Sequence, residues 1–212
     1  MFEYSIAHWV TFFTAAILLN LSPGPDLIFI ISQTSKKGIR SGFAAVSGIW
    51  TGTFVHVIFA ALGLSAILMT SAIAFSVVKW VGAAYLIWLG IQSIKSNGTS
   101  LSKKDNTAPE LNSRKTFQQG ILVSILNPKV AIFFLAFLPQ FVEPQAGAIS
   151  LQLFLHGFLI IVVAAFVEIP IIFISGQLIK YLGANKKVSM WMDRGLGALF
   201  IWLGFKLAAN NR

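Results

Sequence analysis

Six apolar blocks of bilayer-spanning length, near residues 6–31, 42–68, 72–94, 117–142, 151–175 and 191–209, account for most of this 212-residue chain. A helix needs about 20 apolar residues to cross the hydrocarbon core of a membrane, so each block reads as one transmembrane helix. Blocks two and three are parted only by Met69-Thr70-Ser71. Together they are too long for one crossing, and the chain is expected to turn back there in a tight hairpin. Charged residues make up 11% of the sequence and mean hydropathy is +0.78, against about a quarter charged in soluble domains. The chain is therefore not an ordinary soluble domain. Met1-Phe2-Glu3-Tyr4 carries no basic leader signal, so the first block is expected to remain in the mature protein.

The net charge of +9 is distributed as a topology signal rather than as a nucleic-acid footprint. Lys36, Lys37 and Arg40 lie between blocks one and two. Lys95, Lys103, Lys104, Arg114 and Lys115 lie between three and four, and Lys180, Lys186 and Lys187 between five and six. The N-terminus and the connections near 69–71 and 143–150 hold no Lys or Arg. By the positive-inside rule the cation-bearing loops are cytoplasmic and both termini lie outside. Cysteine is absent, which excludes disulfide scaffolds and thiolate metal sites.

The chain divides into two halves, about 1–95 and 116–212, joined by a polar linker at about 96–115. Ala84-Tyr85-Leu86-Ile87-Trp88-Leu89-Gly90 in the third block is echoed by Ala198-Leu199-Phe200-Ile201-Trp202-Leu203-Gly204 in the sixth, and Ser22-Pro23 in the first by Asn127-Pro128 in the fourth. Three helices per half make the second copy upside down relative to the first. The expected fold is all-α: six transmembrane helices as two inverted three-helix repeats, an arrangement that secondary transporters use for alternating access.

Ser22-Pro23-Gly24-Pro25-Asp26 interrupts the first block. Its prolines remove backbone donors and clash with the preceding turn, so the helix is expected to break. Ser22 then caps a new half-helix that starts at Pro23, and Asn127 with Pro128 does the same in the fourth. At about 1.5 Å per residue the two breaks lie about 12 and 16 Å from the cytoplasmic edge, close enough in depth to meet. Paired half-helix N-termini favour an anion such as a carboxylate. Irregular backbone at that depth must line a protein-satisfied or water-filled cavity.

Asp26, Lys129 and Glu168 place three charges in such a bundle. Each costs at least about 2.5–3.5 kcal/mol at mid-bilayer, so each must face the interior and find a partner. Either Asp26 and Lys129 simply lock the halves together, or Lys129 and the helix ends hold a substrate carboxylate while Asp26 or Glu168 meets an ammonium or a coupling proton. His56, at four-residue spacing from Gly52 and Gly48, is a further proton candidate or a packed imidazole. His156 reads as interfacial at the outer entry to the fifth helix, and Lys79-Trp80 as a snorkelling cation with an aromatic anchor. No phosphate-binding loop, His-Glu-x-x-His or Gly-x-Ser-x-Gly string is present, which leaves ATP hydrolysis, zinc proteolysis and serine hydrolysis without their usual spacings.

Leu21-Ser22-Pro23-Gly24-Pro25-Asp26, Gly82-Ala83-Ala84-Tyr85-Leu86 with Leu89-Gly90, and Asn127-Pro128-Lys129 together resemble the lysine-exporter (LysE/RhtB-type) family over nearly the whole chain. The resemblance implies export of amino acids across the bacterial inner membrane, driven by the proton gradient and without a cofactor. Carried over by position, it nominates Pro23, Gly24, Pro25, Asp26, Asn127, Pro128 and Lys129 for the substrate, beside the capping Ser22. Asp26, Glu168 and His56 remain the proton candidates. Partners are then a small amino acid, protons and lipid, with the glycine faces packing either inside one chain or across a homodimer. The alternatives are export of another metabolite or a cation on the same scaffold, and an intramembrane enzyme using His56, Glu168 and Asp26 as acid and base.

Overall fold

A computed structural model describes residues 4–21, 24–66, 72–95, 112–184 and 186–209. The described residues are helical, without strands. The expected hairpin at 69–71 and most of the linker at 96–115 lie outside them. Helix α1 spans Ile6–Leu21, α2 Pro25–Lys37, and α3 Ile39–Phe59, continuing as a π-turn over Ala60–Leu64. Next come α4 (Ala72–Lys95), α5 (Ser113–Ile125) and the short α6 (Pro128–Ile132), which runs on through a π-turn at Phe133–Phe137 and a 3-10 turn at Leu138–Phe141. Helices α7 (Ile149–Ala184) and α8 (Lys186–Ala209) complete the chain.

Two segments, Ile39–Leu64 and Ile149–Ser175, are by themselves long and apolar enough to cross a membrane. Counting each bent pair as one span raises this to four: α1 with α2 meets at 51°, and α5 with Pro128–Phe141 at 50°. Both bends fall at the proline interruptions. The first span runs further than the sequence suggested, because α2 continues to Lys37 and places Lys36 and Lys37 against its own C-terminal dipole. Gly38, at φ 84°, turns the chain straight into α3, a conformation that L side chains resist. Pro170 sits inside α7 without ending it.

The surface is apolar where a soluble protein's would be polar. Phe59, Leu62, Ile73, Phe166 and Phe173 are all more than 60% exposed, as befits helices solvated by lipid. Inside, one cluster gathers Phe12, Leu19, Phe133, Phe134, Phe137 and Phe141 around α6, and a second joins Leu27, Ile30, Val46, Ile49 and Ile172.

Small residues set the closest helix pairs. Cβ atoms on Gly52 and Gly120 would lie 2.7 Å from the Ile121 carbonyl and 2.6 Å from the Ala45 carbonyl, so α3 and α5 touch through backbone. Helices α4 and α8 do likewise, with a reciprocity. A Cβ on Gly90 would meet Gly197 O and Ile201 Cγ1; one on Gly204 would meet Ala83 O and Ile87 Cγ1. These glycine faces are used within the chain. Gly63, further along the same segment, has open space around it.

Candidate functional site

The two helix breaks are built alike. Asn127 caps α6, its Oδ1 accepting from the Lys129 backbone N–H at 3.0 Å, and Pro128 supplies the first helical position. That is as the sequence indicated. In the other break the cap is Gly24, in an extended conformation, and the first position is Pro25. The sequence placed them at Ser22 and Pro23, two residues earlier. A proline disfavours helical geometry in the residue before it, so Pro25 keeps Gly24 extended and delays the start. Ser22 and Pro23 themselves lie outside the described residues. The shift equates Gly24-Pro25-Asp26 with Asn127-Pro128-Lys129.

Asp26 and Lys129 thus occupy equivalent positions, and they meet. Lys129 Nζ is 3.4 Å from Asp26 Oδ2 and 3.5 Å from Oδ1, and donates to the Leu19 carbonyl at 3.3 Å near the end of α1. Both residues are buried. Each charge matches its surroundings: the carboxylate lies in the first turn of α2, and the ammonium lies against the carbonyl end of α1. Gly24 leaves room for the pair, since a Cβ there would fall 2.5 Å from Asp26 Oδ1 and 2.8 Å from Lys129 Nζ.

Asp26 and Lys129 line a small cavity between the two apolar clusters. Its polar lining also includes Glu168, Trp50, Thr53 and Asn20; its apolar wall includes Ile49, Phe134, Ile160 and Ala164. Glu168, 2% exposed, accepts from Trp50 Nε1–H at 2.7 Å. Thr53 Oγ1 lies 3.0 Å from Ser124 Oγ. Asn127 Nδ2 is buried and has no hydrogen-bond partner among the described residues, a cost that a ligand able to accept from it would remove.

The sequence candidates separate on this geometry. Asp26, Lys129 and Glu168 line one cavity; Gly24, Pro25, Asn127 and Pro128 start the half-helices that carry the first two and are not in its lining. His56 is not in the lining; its Nε2 donates to the Ser124 carbonyl at 3.2 Å and its ring lies beside Phe134. Trp50, Thr53 and Asn20 were missed, although the three-residue spacing of Trp50 and Thr53 places them on one face of α3. His156 is 1% exposed and packed among Trp9, Phe12 and Phe141, because α1 and the chain after α6 close over it. No group of three His, Cys, Asp or Glu residues among those described is placed to hold a metal ion.

Residues 17–211 match the family model described as LysE type translocator. The chain is 32% identical to a homoserine/homoserine lactone efflux protein of Salmonella typhi, over 95% of this chain and 96% of the relative. It is 26% identical to a leucine efflux protein of Salmonella choleraesuis, over 97% of each, and 28% identical to an uncharacterised membrane protein of Vibrio cholerae, over 94% and 96%. No solved structure matches the chain significantly.

Proposed function

The chain belongs to the LysE type translocator family, and we infer that it is a secondary exporter of amino acids, driven by protons and working by alternating access. It is a membrane transporter, not an enzyme. Relatives of nearly the same length named for homoserine and leucine efflux support an amino-acid cargo.

The observation that carries the reading is the Asp26–Lys129 pair inside the cavity. An amino-acid zwitterion carries the same two charges. Its carboxylate can take Lys129 and the N–H groups of the half-helix ends, with Asn127 Nδ2 as a further donor, while its ammonium takes Asp26. Exchanging one ion pair for two keeps every buried charge compensated, which an unpaired amine or acid cannot do. The side chain would lie along Ile49, Phe134, Ile160 and Ala164. Glu168, held by Trp50 and outside that exchange, is the acid best placed to carry the coupling proton.

Alternating access rests on two inverted halves of three spans each. Two features support it: the like construction of the breaks at Pro25 and Pro128, and the reciprocal contacts of Gly90 and Gly204. The cation-bearing segments then face the cytoplasm of a bacterial inner membrane, with both termini outside. A homodimer gains no argument from glycine faces already consumed within the chain.

Overexpression followed by mass spectrometry of the culture medium tests the reading. Accumulation of one amino acid or a close analogue is expected. Altered lipid or another processed product, with no amino acid exported, would refute it.

A further inference from the structure

The central cavity leaves unused a second polar cluster, near the start of α1. His8 Nε2 lies 2.9 Å from His156 Nε2, His156 Nδ1 lies 2.8 Å from the Gln152 carbonyl, and His8 Nδ1 lies 3.5 Å from Glu143 Oε1. Tyr4 stacks on His8 and Trp9 on His156. The His8 side chain is 7% exposed and that of Glu143 43%, so the cluster runs from an accessible carboxylate to a sealed imidazole. His156 precedes Glu168 by twelve residues on α7, and His8 precedes Asn20 by twelve on α1. Both helices put the cluster about 18 Å from the cavity, at about 1.5 Å per residue.

The hydrogen-bonding direction can be worked out from the acceptors. A carbonyl only accepts, so His156 Nδ1 carries a hydrogen and a neutral His156 leaves Nε2 bare. His8 Nε2 must then donate to it. A neutral His8 would in turn point its bare Nδ1 at the Glu143 carboxylate, two acceptors facing each other. One further proton, held between His8 and Glu143, satisfies all three contacts. Another on His156 Nε2 would set two N–H groups against each other at 2.9 Å.

We propose that His8, His156 and Glu143 form a one-proton site that latches α1 to α7 on the outer side of the transporter and opens when a second proton enters through Glu143. The outer placement rests on the topology given above; the one-proton count rests on the contacts alone. The described titratable groups facing the rings are Glu143, from the segment after α6, and Tyr4, ahead of α1. Burial, then the Glu143 charge, push the Tyr4 phenol up to about 12. Tyr4 therefore stays a donor, to Gln152 Oε1 at 2.9 Å. Gln152 in turn ties α7 to the Glu143 and Gly147 carbonyls. The Tyr4 ring stacked on His8 favours a cation there.

The chain has three histidines, so ¹⁵N-histidine NMR of the whole protein in lipid bilayers reads each ring. His8 and His156 are expected to titrate as a coupled pair: His156→Gln or Glu143→Gln shifts the His8 midpoint by about one pH unit or more and leaves His56 unmoved. Glu143→Gln, half-exposed, keeps both rings in place should the buried variant fail to fold. Independent single-site titrations, unmoved by either change, would overturn the shared proton. Spin labels at Ala7→Cys and Leu151→Cys, in a chain without native cysteine, report the latch. Their separation should grow on acidification and stay fixed in His8→Gln; a separation indifferent to pH in the parent would overturn it. Neither readout uses transport, so failure here is distinct from failure of amino-acid export.

Discussion

Lys129 Nζ lies 3.4 Å from Asp26 Oδ2, and each of these residues directly follows the proline that opens its half-helix. One ion pair thus joins the two helix breaks. Removing either partner strands a buried charge, which costs about 3–5 kcal/mol. Asp26→Asn and Lys129→Met should each lower thermal stability and abolish efflux. The double variant should recover stability but not efflux, as seen by thermal unfolding in detergent alongside vesicle transport. Full efflux by the double variant would mean that the pair only fastens the halves together.

Gly24 has a separable role. Gly24→Ala places a methyl group against both charges and should lower the export rate at least about tenfold, equivalent to about 1.4 kcal/mol, while the protein still inserts. Gly63→Ala, which meets nothing within 4 Å, should leave the rate unchanged. Initial rates normalised to membrane-inserted protein compare the two.

How much of this site the sequence disclosed depends on whether chemistry or long-range packing fixes each part. Asn127-Pro128 was legible as a cap and first helical residue because both preferences are local. The start of α2 was misplaced because the influence of Pro25 on Gly24 outweighs the capping preference of Ser22. The pairing of Asp26 with Lys129 was one of two readings, since sequence gives depth along a helix but not the rotation that aims a side chain. The burial of His156 was not legible for a related reason: its position near a helix start is visible, whereas the lid of Tyr4, Trp9 and Phe141 comes from distant segments. The echo of Trp88-Leu89-Gly90 in Trp202-Leu203-Gly204 was legible, but the reciprocal backbone contacts of α4 and α8 were not.

Those contacts carry their own expectation. Gly90→Ala drives a methyl group towards the Gly197 carbonyl and should destabilise the protein by about 1–3 kcal/mol. Gly195→Ala on the same helix pair meets open space and should stabilise by about 0.4–1 kcal/mol through the unfolded chain. Denaturant or thermal unfolding of the two variants should move in opposite directions.

Glu168 is expected to separate coupling from recognition. Glu168→Gln keeps an acceptor for Trp50 Nε1–H but loses the charge, so export should lose its response to a pH gradient while exchange of substrate persists. Trp50→Phe should retain the pH response. Efflux from sealed vesicles, with the gradient imposed or collapsed, distinguishes them. An undiminished gradient response in Glu168→Gln would assign the proton elsewhere.

Counterflow of a labelled neutral amino acid in proteoliposomes, challenged with its decarboxylated amine and its deaminated acid, bears most directly on recognition of a zwitterion by the Asp26–Lys129 pair. Saturable exchange is expected in the parent, blocked by unlabelled amino acid, indifferent to either half-charged analogue, and lost in Asp26→Asn and Lys129→Met. Equal competition by the amine or the acid, or normal exchange in both variants, would contradict it.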